Sequence, residues 1–394
     1  MIFKLSGYRG KLPTFTFGPD NLKIVKEYKY LRTIMTNTGN FKLNEVTLKK
    51  KGLRANFLLT RSIDRAKPST AIKLFEKMVE PILTYNSEVT LAFLPKSCDY
   101  NKFFMNMWDH GTEINKVCMN FLRQILGVHK KTSNIALMTE TGKYPTIMKV
   151  FLHIYKYWQR LESSTNTFLT EAHKMNMQNY AKGQTNWYKI IDFFQKLTNN
   201  KTEDTNKARH LFKESMEIMF NLWWKDESKR EGSKLDFYFS IKKSFGFENY
   251  LDNIPYSARR VITKLRLSCH CLPVEVLRYN KKKVERKDRT CNICTMNKVG
   301  DEKHYLKECQ NKGLVNIRQK FILEMKEACP QMTIFSDENI IDYCISMKDE
   351  NTQEKTAKFV QDLISQYKKE DKLPPLSILC LRFMRKIRGS NSRT

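Results

Sequence analysis

Four residues near position 300 have the types and the spacing of a metal-binding site. Two residues separate Cys291 from Cys294, nine separate Cys294 from His304, and four separate His304 from Cys309. The two cysteines fit on one tight turn, and the histidine and the last cysteine can both face inward where a loop enters a helix. Three thiolates and an imidazole close a tetrahedron around Zn²⁺ and leave no position for water. The spacing therefore predicts a structural zinc site.

The alternative is a group of ordinary buried cysteines, because free cysteine is among the most buried residue types. Three cysteines and one of only seven histidines fall within this short stretch, between basic residues, and that density favours metal binding. The second ring nitrogen of the histidine needs a hydrogen-bond partner. The sequence does not identify that partner.

The composition indicates a basic protein with a real core. The chain has 394 residues, enough for two or three domains, and carries 70 Lys and Arg against 41 Asp and Glu, a formal charge of +29. This excess is larger than solubility requires and makes nucleic acid the leading partner. The alternative is a generally basic protein with solvated lysines. An aromatic content of 12% argues against simple disorder.

Several classes of protein are disfavoured by what the sequence lacks. No apolar run approaches the length of a membrane span, and no N-terminal apolar region with a cleavage site indicates secretion. The ten cysteines are therefore expected to be reduced, in an intracellular protein of the nucleus and cytoplasm. The glycine motifs of nucleotide-binding sheets are also missing.

The organisation of the chain predicts a mainly α fold with a short N-terminal β element. Short alternating runs and turn residues occupy the first 45 positions, and helical periodicity follows. In the first helix we expect Val46, Leu53, Phe57 and Leu58 to form the buried face, and we expect Pro81 to break a later helix. The predicted segments are 1–45 (β element), 46–165 (helical bundle), 166–255 (helical connector), 256–312 (basic segment with the metal site) and 313–394 (C-terminal helices and basic tail).

Two segments concentrate the basic residues that are candidates for phosphate contacts. The first helix carries Lys49, Lys50, Lys51, Arg54 and Arg61. Residues 256–290 hold 11 basic and 3 acidic residues directly before the cysteines, and we predict that they form one continuous surface. The alternative is a solvated face. The predicted members of this surface are Arg259, Arg260, Lys264, Arg266, Arg278, Lys281, Lys282 and Lys283, with His270 and Tyr279 either stacking on an unpaired base or packing in the core.

No catalytic centre is visible in the sequence. A polymerase or nuclease needs several carboxylates that converge on two Mg²⁺ ions, and the chain contains no Asp-Asp pair. A thiol–histidine pair does not stand out either, because Cys291 and His304 are assigned to metal. We therefore predict that the chain is not an enzyme on its own.

Three segments together carry a resemblance to a known family. Residues 24–40 contain Tyr-Lys-Tyr-Leu, residues 74–89 contain Pro-Ile-Leu-Thr-Tyr, and residues 264–309 lead from Lys-Leu-Arg-Leu into the Cys-Cys-His-Cys group. They are similar to the hairpin after the polymerase palm, to the thumb, and to the terminal zinc knuckle of one class of polyprotein. Nearly end to end, the chain resembles the C-terminal part of the reverse transcriptase polyprotein of non-LTR, LINE-like retrotransposons.

The resemblance implies a helical thumb and connector followed by a zinc knuckle. It also implies that this part grips template RNA, primer or target DNA during target-primed reverse transcription, with an intact retrotransposon polyprotein as a further partner. The catalytic palm of this family of RNA-directed DNA polymerases would lie upstream of Met1. A second class of function stays open, that of a domesticated helical zinc-binding scaffold for protein interactions.

One residue departs from the family pattern. Arg32 stands where the family has glycine after Tyr-Lys-Tyr-Leu. If the backbone there needs a positive φ, a side chain costs about 1 kcal/mol relative to glycine.

Overall fold

A computed structural model describes most of the chain as helical. The described residues are 2–3, 14–63, 66–90, 104, 107–108, 112–183, 187–198, 204–230, 232–280 and 282–371. Helices dominate and short strands lie near the N-terminus, so the predicted fold class is confirmed. Of the predicted features, Lys281 and the C-terminal basic tail lie outside the described residues.

The chain divides into two compact units, residues 1–252 and 253–394. The finer division into five segments stays a prediction. No helix in the described ranges combines the length and the apolar composition needed to cross a bilayer.

The strands of the first unit form separate two-stranded ladders. A parallel pair joins β1 to β4, and antiparallel pairs join β2 to β3 and β5 to β6. Their bounds are β1 Ile2–Phe3, β2 Thr16–Phe17, β3 Asp20–Asn21, β4 Ile24–Val25, β5 Glu27–Tyr30 and β6 Thr33–Thr36.

The β5–β6 hairpin turns on two residues in the left-handed region. Leu31 has φ 44° and Arg32 has φ 65°, the conformation of a type I′ turn that glycine or asparagine adopts most easily. The Tyr85 hydroxyl donates to the Leu31 carbonyl at 3.1 Å, and the Asn86 amide donates to the Thr33 hydroxyl at 3.0 Å. Arg32 therefore has the positive φ at which a side chain costs free energy relative to glycine.

The helices of the first unit pack around an aromatic core. Phe75 stacks on Phe121 and Tyr155 stacks on Phe212, both pairs with ring centroids 4.4 Å apart. The helices are α1 Lys42–Ser62, α2 Pro68–Met78, α3 Glu80–Leu83, α4 Ser87–Thr90, α5 Glu113–Leu126, α6 Asn134–Thr141, α7 Thr146–Glu162, α8 Thr167–Ala181, α9 Tyr188–Thr198, α10 Thr205–Ser228, α11 Asp236–Ile241 and α12 Tyr250–Asn253, which reaches the boundary between the units. The predicted break near Pro81 is confirmed by the interruption between α2 and α3.

The buried face of α1 differs from the predicted one. Asn44, Leu48, Gly52, Asn56 and Leu59 are buried, whereas the predicted core residues Phe57 and Leu58 are 55% and 65% exposed. A Cβ on Gly52 would collide with the Leu83 side chain, and the Asn56 amide donates to Gln124 at 3.0 Å. Neighbouring helices approach α1 closely at small and polar residues, and this approach determines which side of α1 is buried. The spacing of apolar residues in the sequence does not reveal such positions.

The second unit is built on two long helices. A stacked pair, Phe321 and Phe359, joins them with ring centroids 4.1 Å apart. The elements are α13 Tyr256–Arg266, α14 Pro273–Val276, 3₁₀ turns at Leu277–Tyr279 and Arg286–Asp288, a π-helical turn at His304–Glu308, α15 Lys312–Ala328, a 3₁₀ turn at Pro330–Ile334, α16 Asp337–Ile345 and α17 Glu350–Glu370. Helix α17 packs along both α13 and α15.

Candidate metal centre

Cys291 and Cys294 lie on a loop that backbone hydrogen bonds close into a narrow hairpin. The Cys291 amide donates to the Lys298 carbonyl at 2.8 Å, and the Gly300 amide donates to the Arg289 carbonyl at 2.8 Å. Asn297, inside the loop that these two bonds close, lies in the left-handed region at φ 50°, a conformation typical of turns. The loop thus presents both thiols from one short turn.

His304 and Cys309 lie at the two ends of the π-helical turn. The Cys309 amide donates to the His304 carbonyl at 2.7 Å, and the Asp301 carboxylate accepts from the His304 amide at 3.0 Å. A π turn closes between residues five apart. The interval of five in the sequence therefore matches the turn that brings both side chains to the same side.

The four donor atoms converge as the spacing predicts. All lie within 4.8 Å of one another, so the group could hold a metal ion. The Sγ atoms of Cys291 and Cys309 are 3.9 Å apart, and the Cys294 Sγ is 3.4 Å from His304 Nε2. Bonds of about 2.3 Å to sulfur and about 2.0 to 2.1 Å to nitrogen in a tetrahedron give separations of about 3.8 and 3.6 Å. The observed distances fit that geometry.

Two of the thiols interact strongly. Hydrogen bonding to Cys309 lowers the pKa of Cys291 to about 3, while the same contact raises the pKa of Cys309 above its ordinary value. One sulfur of the pair therefore favours the thiolate form, and the other retains the proton. A divalent metal ion would take the place of that proton, because metal binding requires both sulfurs as thiolates.

The second ring nitrogen of His304 faces a carboxylate at a longer distance. The side chain is 1% exposed, and within the described residues its Nδ1 has no hydrogen-bond partner. The Glu308 carboxylate lies 3.9 Å from Nδ1 and also pairs with Lys298 at 3.0 Å. At 3.9 Å this carboxylate is too far to accept a hydrogen bond from Nδ1 and so to orient the imidazole directly.

A buried arginine, Arg318 of α15, supports the turn that carries His304 and Cys309. Its Nη1 donates to the Tyr305 carbonyl at 3.3 Å, and its Nη2 donates to the Cys309 carbonyl. Burial lowers the pKa of this guanidinium, and the nearby Cys309 opposes that effect. Three thiolates and a divalent ion would carry a net charge of −1, which this cation offsets. Sequence spacing gave no signal for this residue.

The metal loop is also tied to the end of α17. The Asn292 amide donates to the Asp371 carboxylate at 2.5 Å and accepts from the Tyr305 hydroxyl at 3.1 Å. The rings of Tyr305 and Tyr367 meet edge to face at 5.1 Å. A residue between the first two cysteines therefore connects the centre to a helix about 80 positions away, which no local pattern predicts.

Two of the predicted surface cations are in the core of the second unit. Arg266 is 0% exposed and donates to the carbonyls of Ile345 and Ser346 at 2.7 and 3.0 Å. Arg259 is 4% exposed, with its guanidinium 5.3 Å from the centre of the Tyr256 ring. The prediction of one continuous basic surface is wrong for both. The guanidinium of Arg266 donates to carbonyls at the end of α16, where a helix leaves its last carbonyls without intrahelical partners.

His270 is likewise committed to an internal contact. Its Nε2 is 2.8 Å from the Glu302 carboxylate, and its side chain is 3% exposed. The Leu272 amide donates to the other ring nitrogen at 3.2 Å. The ring is enclosed, so the stacking role of His270 is wrong and the alternative of a packed residue is correct. Tyr279, at 42% exposed, keeps an accessible ring.

The other candidate cations are accessible to different degrees. Arg278 pairs with Glu275 at 3.1 Å and Lys49 pairs with Glu113. Lys264 is half-buried. The exposed members are Arg260, Lys282 and Lys283 in the second unit, and Lys50, Lys51, Arg54 and Arg61 on α1 in the first.

The candidate metal centre is identified by the arrangement of its four donor side chains. Cys291, Cys294, His304 and Cys309, of which all but the half-buried Cys294 are buried, form a donor group that could hold a metal ion, and the whole chain is strongly basic. Comparison with protein-family models, with curated proteins and with solved structures finds no match to this chain.

Proposed function

We propose that this chain is a nucleic-acid-binding C-terminal portion of a non-LTR retrotransposon reverse transcriptase. In this role it grips template RNA, primer or target DNA for target-primed reverse transcription, inside the cell. The observation that carries the proposal is the convergence of Cys291, Cys294, His304 and Cys309 in a chain of charge +29. The Tyr-Lys-Tyr-Leu hairpin and the segment before the cysteines support the same assignment by resemblance.

Zinc is the metal that we propose for the centre. Three sulfur donors and one imidazole suit Zn²⁺ better than oxygen-seeking ions such as Mg²⁺ or Ca²⁺. Cys309 and His304 are 0% and 1% exposed, which fits a closed structural site. The ion would crosslink the hairpin loop to the π-helical turn.

Phosphate contacts are the proposed basis of nucleic-acid binding. The exposed cations of α1, namely Lys50, Lys51, Arg54 and Arg61, lie on one element with the exposed Phe57 ring. Each phosphate neutralised releases counterions, so log K for duplex DNA falls against log salt with a slope of about −0.9 per contact. Anisotropy titrations of the zinc-loaded chain with labelled RNA and duplex DNA over a range of salt test this directly. Binding without a steep slope would contradict the proposal.

Polymerase chemistry is not part of the proposal for this chain. A primer-extension assay with Mg²⁺ should give no product, because the paired aspartates that hold two metal ions are missing from its sequence. Template-directed incorporation by the purified chain would overturn this part of the assignment.

The scaffold function is the second candidate, and one helix favours it. Phe168 and Met175 of α8 are 88% and 61% exposed, and large apolar side chains in such positions are common on protein-binding surfaces. A scaffold would bind a protein partner with little dependence on salt. The same titrations therefore separate the two functions.

A further inference from the structure

A group of three basic residues lies where α13 packs along α17 in the second unit. One side of α13 is buried through Ile262 and Leu265. Arg260 is exposed and Lys264, one turn later, is half-buried. Lys368 is exposed in the last turn of α17. We call Arg260, Lys264 and Lys368 the basic cluster.

Arg260 and Lys368 both lie close enough to Lys264 to act on its charge. Burial is the main cause that lowers the pKa of Lys264, and the charges of Arg260 and Lys368 lower it further, while Cys269 and Cys271 oppose this effect. Neither Lys264 nor Lys368 forms an ion pair with a carboxylate in the part of the chain that the structure describes. The two acidic residues that follow Lys368 at the end of α17 have other hydrogen-bond partners. Glu370 accepts from Gln366 at 3.0 Å, and Asp371 accepts from Asn292 at 2.5 Å.

Cations nearer the metal centre are arranged differently. Lys298 pairs with Glu308 at 3.0 Å, Arg286 with Asp301 at 3.2 Å and Arg278 with Glu275 at 3.1 Å. Carboxylates therefore already compensate the charges of these three cations. Within the basic cluster, the two lysines Lys264 and Lys368 instead hold like charges near one another with no carboxylate partner in the described residues, an arrangement that a bound anion would stabilise.

We propose that the basic cluster is the surface of the second unit that binds the phosphate backbone of a nucleic acid. This inference rests on the proposed function and specifies where the second unit makes its contacts. It replaces the surface predicted from sequence, in which Arg259 and Arg266 were members, and it adds Lys368 from a distant helix. Contacts of this kind position a strand and do not read its bases, so RNA and DNA should depend on the basic cluster alike.

The test uses the full zinc-loaded chain and labelled RNA and duplex DNA. One variant combines Lys264→Gln with Lys368→Gln, and a second carries Glu at both positions. The matched control is Lys355→Glu with Lys358→Glu, which reverses two exposed charges at the other end of α17. We expect the glutamine variant to bind roughly tenfold more weakly and to flatten the salt slope by about 0.9 per lost contact. The glutamate variant should lose more affinity. In the control, the change in affinity for RNA and for DNA should be less than a third of the change in the glutamate variant.

A second measurement keeps the wild-type sequence. Lysines are acetylated with and without bound nucleic acid, and modification at each position is read by mass spectrometry. The neutral amine is the reactive form, so Lys264 should react readily in the free protein. Bound RNA or DNA should protect Lys264 and Lys368 and leave Lys355 reactive.

The outcomes separate the two proposals. Unchanged affinity in the cluster variants, together with no protection of Lys264 and Lys368, would overturn the proposal that the basic cluster binds the phosphate backbone. If charge reversal at Arg54 and Arg61 then weakened binding, the proposed function would stand with its contacts on α1. If the wild-type chain bound neither nucleic acid with a salt dependence, the proposed function itself would fail.

Discussion

Arg318 provides the sharpest test of the metal centre because it supports the ligands without touching the metal position. Replacing it with methionine keeps the approximate length of the side chain and removes both donors. The Tyr305 and Cys309 carbonyls then lose bonds from a charged group. Each such bond contributes about 1.5 to 3 kcal/mol, so the variant should be less stable by about 3 kcal/mol or more.

The variant should also bind metal more weakly. Loss of a group that orients metal ligands lowers affinity by about 10- to 100-fold. We expect Arg318→Met to fall in that range when Zn²⁺ is measured by competition with a chromophoric chelator. Arg318→Lys keeps the charge and loses the forked geometry. Its Zn²⁺ affinity should lie between that of Arg318→Met and that of the wild type. With Co²⁺ as a probe, the absorption bands should keep the character of a tetrahedral site with three sulfurs and one nitrogen.

Arg266→Met is the matched control for Arg318→Met. Arg266 is also buried in the second unit and also donates to two carbonyls, but its acceptors Ile345 and Ser346 are not in the metal turn. It should lose comparable stability with a much smaller change in metal affinity. Equal losses of affinity in the two variants, or wild-type affinity in Arg318→Met, would refute the role given to Arg318.

Three further predictions concern the metal, the hairpin and one thiol. A chelator should lower the thermal midpoint of the zinc-loaded chain, and Cys309→Ser should remove that sensitivity, as followed by circular dichroism. Arg32→Gly should stabilise the chain by about 1 kcal/mol in urea unfolding, because φ at Arg32 is 65°; no gain would mean that the side chain makes compensating contacts. Burial raises the pKa of Cys118 from 9.0 to about 11. The unfolded chain therefore loses this proton at a lower pH than the folded chain does. The stabilisation from protonated Cys118 is full below pH 9 and declines by about 1.4 kcal/mol per pH unit as pH rises towards 11. Over this range the free energy of unfolding of Cys118→Ala should decline less steeply than that of the wild type, and identical slopes would contradict the assignment.

The sequence was most informative where the relevant residues are neighbours in the chain. The mainly α fold follows from helical periodicity, and the four metal-binding candidates lie on one loop and one turn whose spacing is visible directly. Local geometry there leaves few alternatives.

Predictions failed where partners come from distant elements. Arg266 looks like a surface cation until the carbonyls of Ile345 and Ser346 are brought to it. The buried face of α1 depends on how closely Gly52 approaches α3, and apolar periodicity cannot report that distance. Asp371 and Lys368 were missed for the same reason, because each acts on residues tens of positions away. Arg318 is nearer, 9 and 13 positions from its acceptors, but it lies on a different element, α15.

The π-helical turn restricts how this part of the chain can change in length. Its hydrogen bond joins His304 to Cys309, so the interval between them is fixed by the closure of the turn. Removing one residue from the interval would favour an α turn and rotate the final cysteine by about 100° around the helix axis, away from the other donors. Of the nine residues between Cys294 and His304, residues 295–301 lie outside any helix. Among related sequences, insertions and deletions should accumulate in that longer interval and be purged from the shorter one.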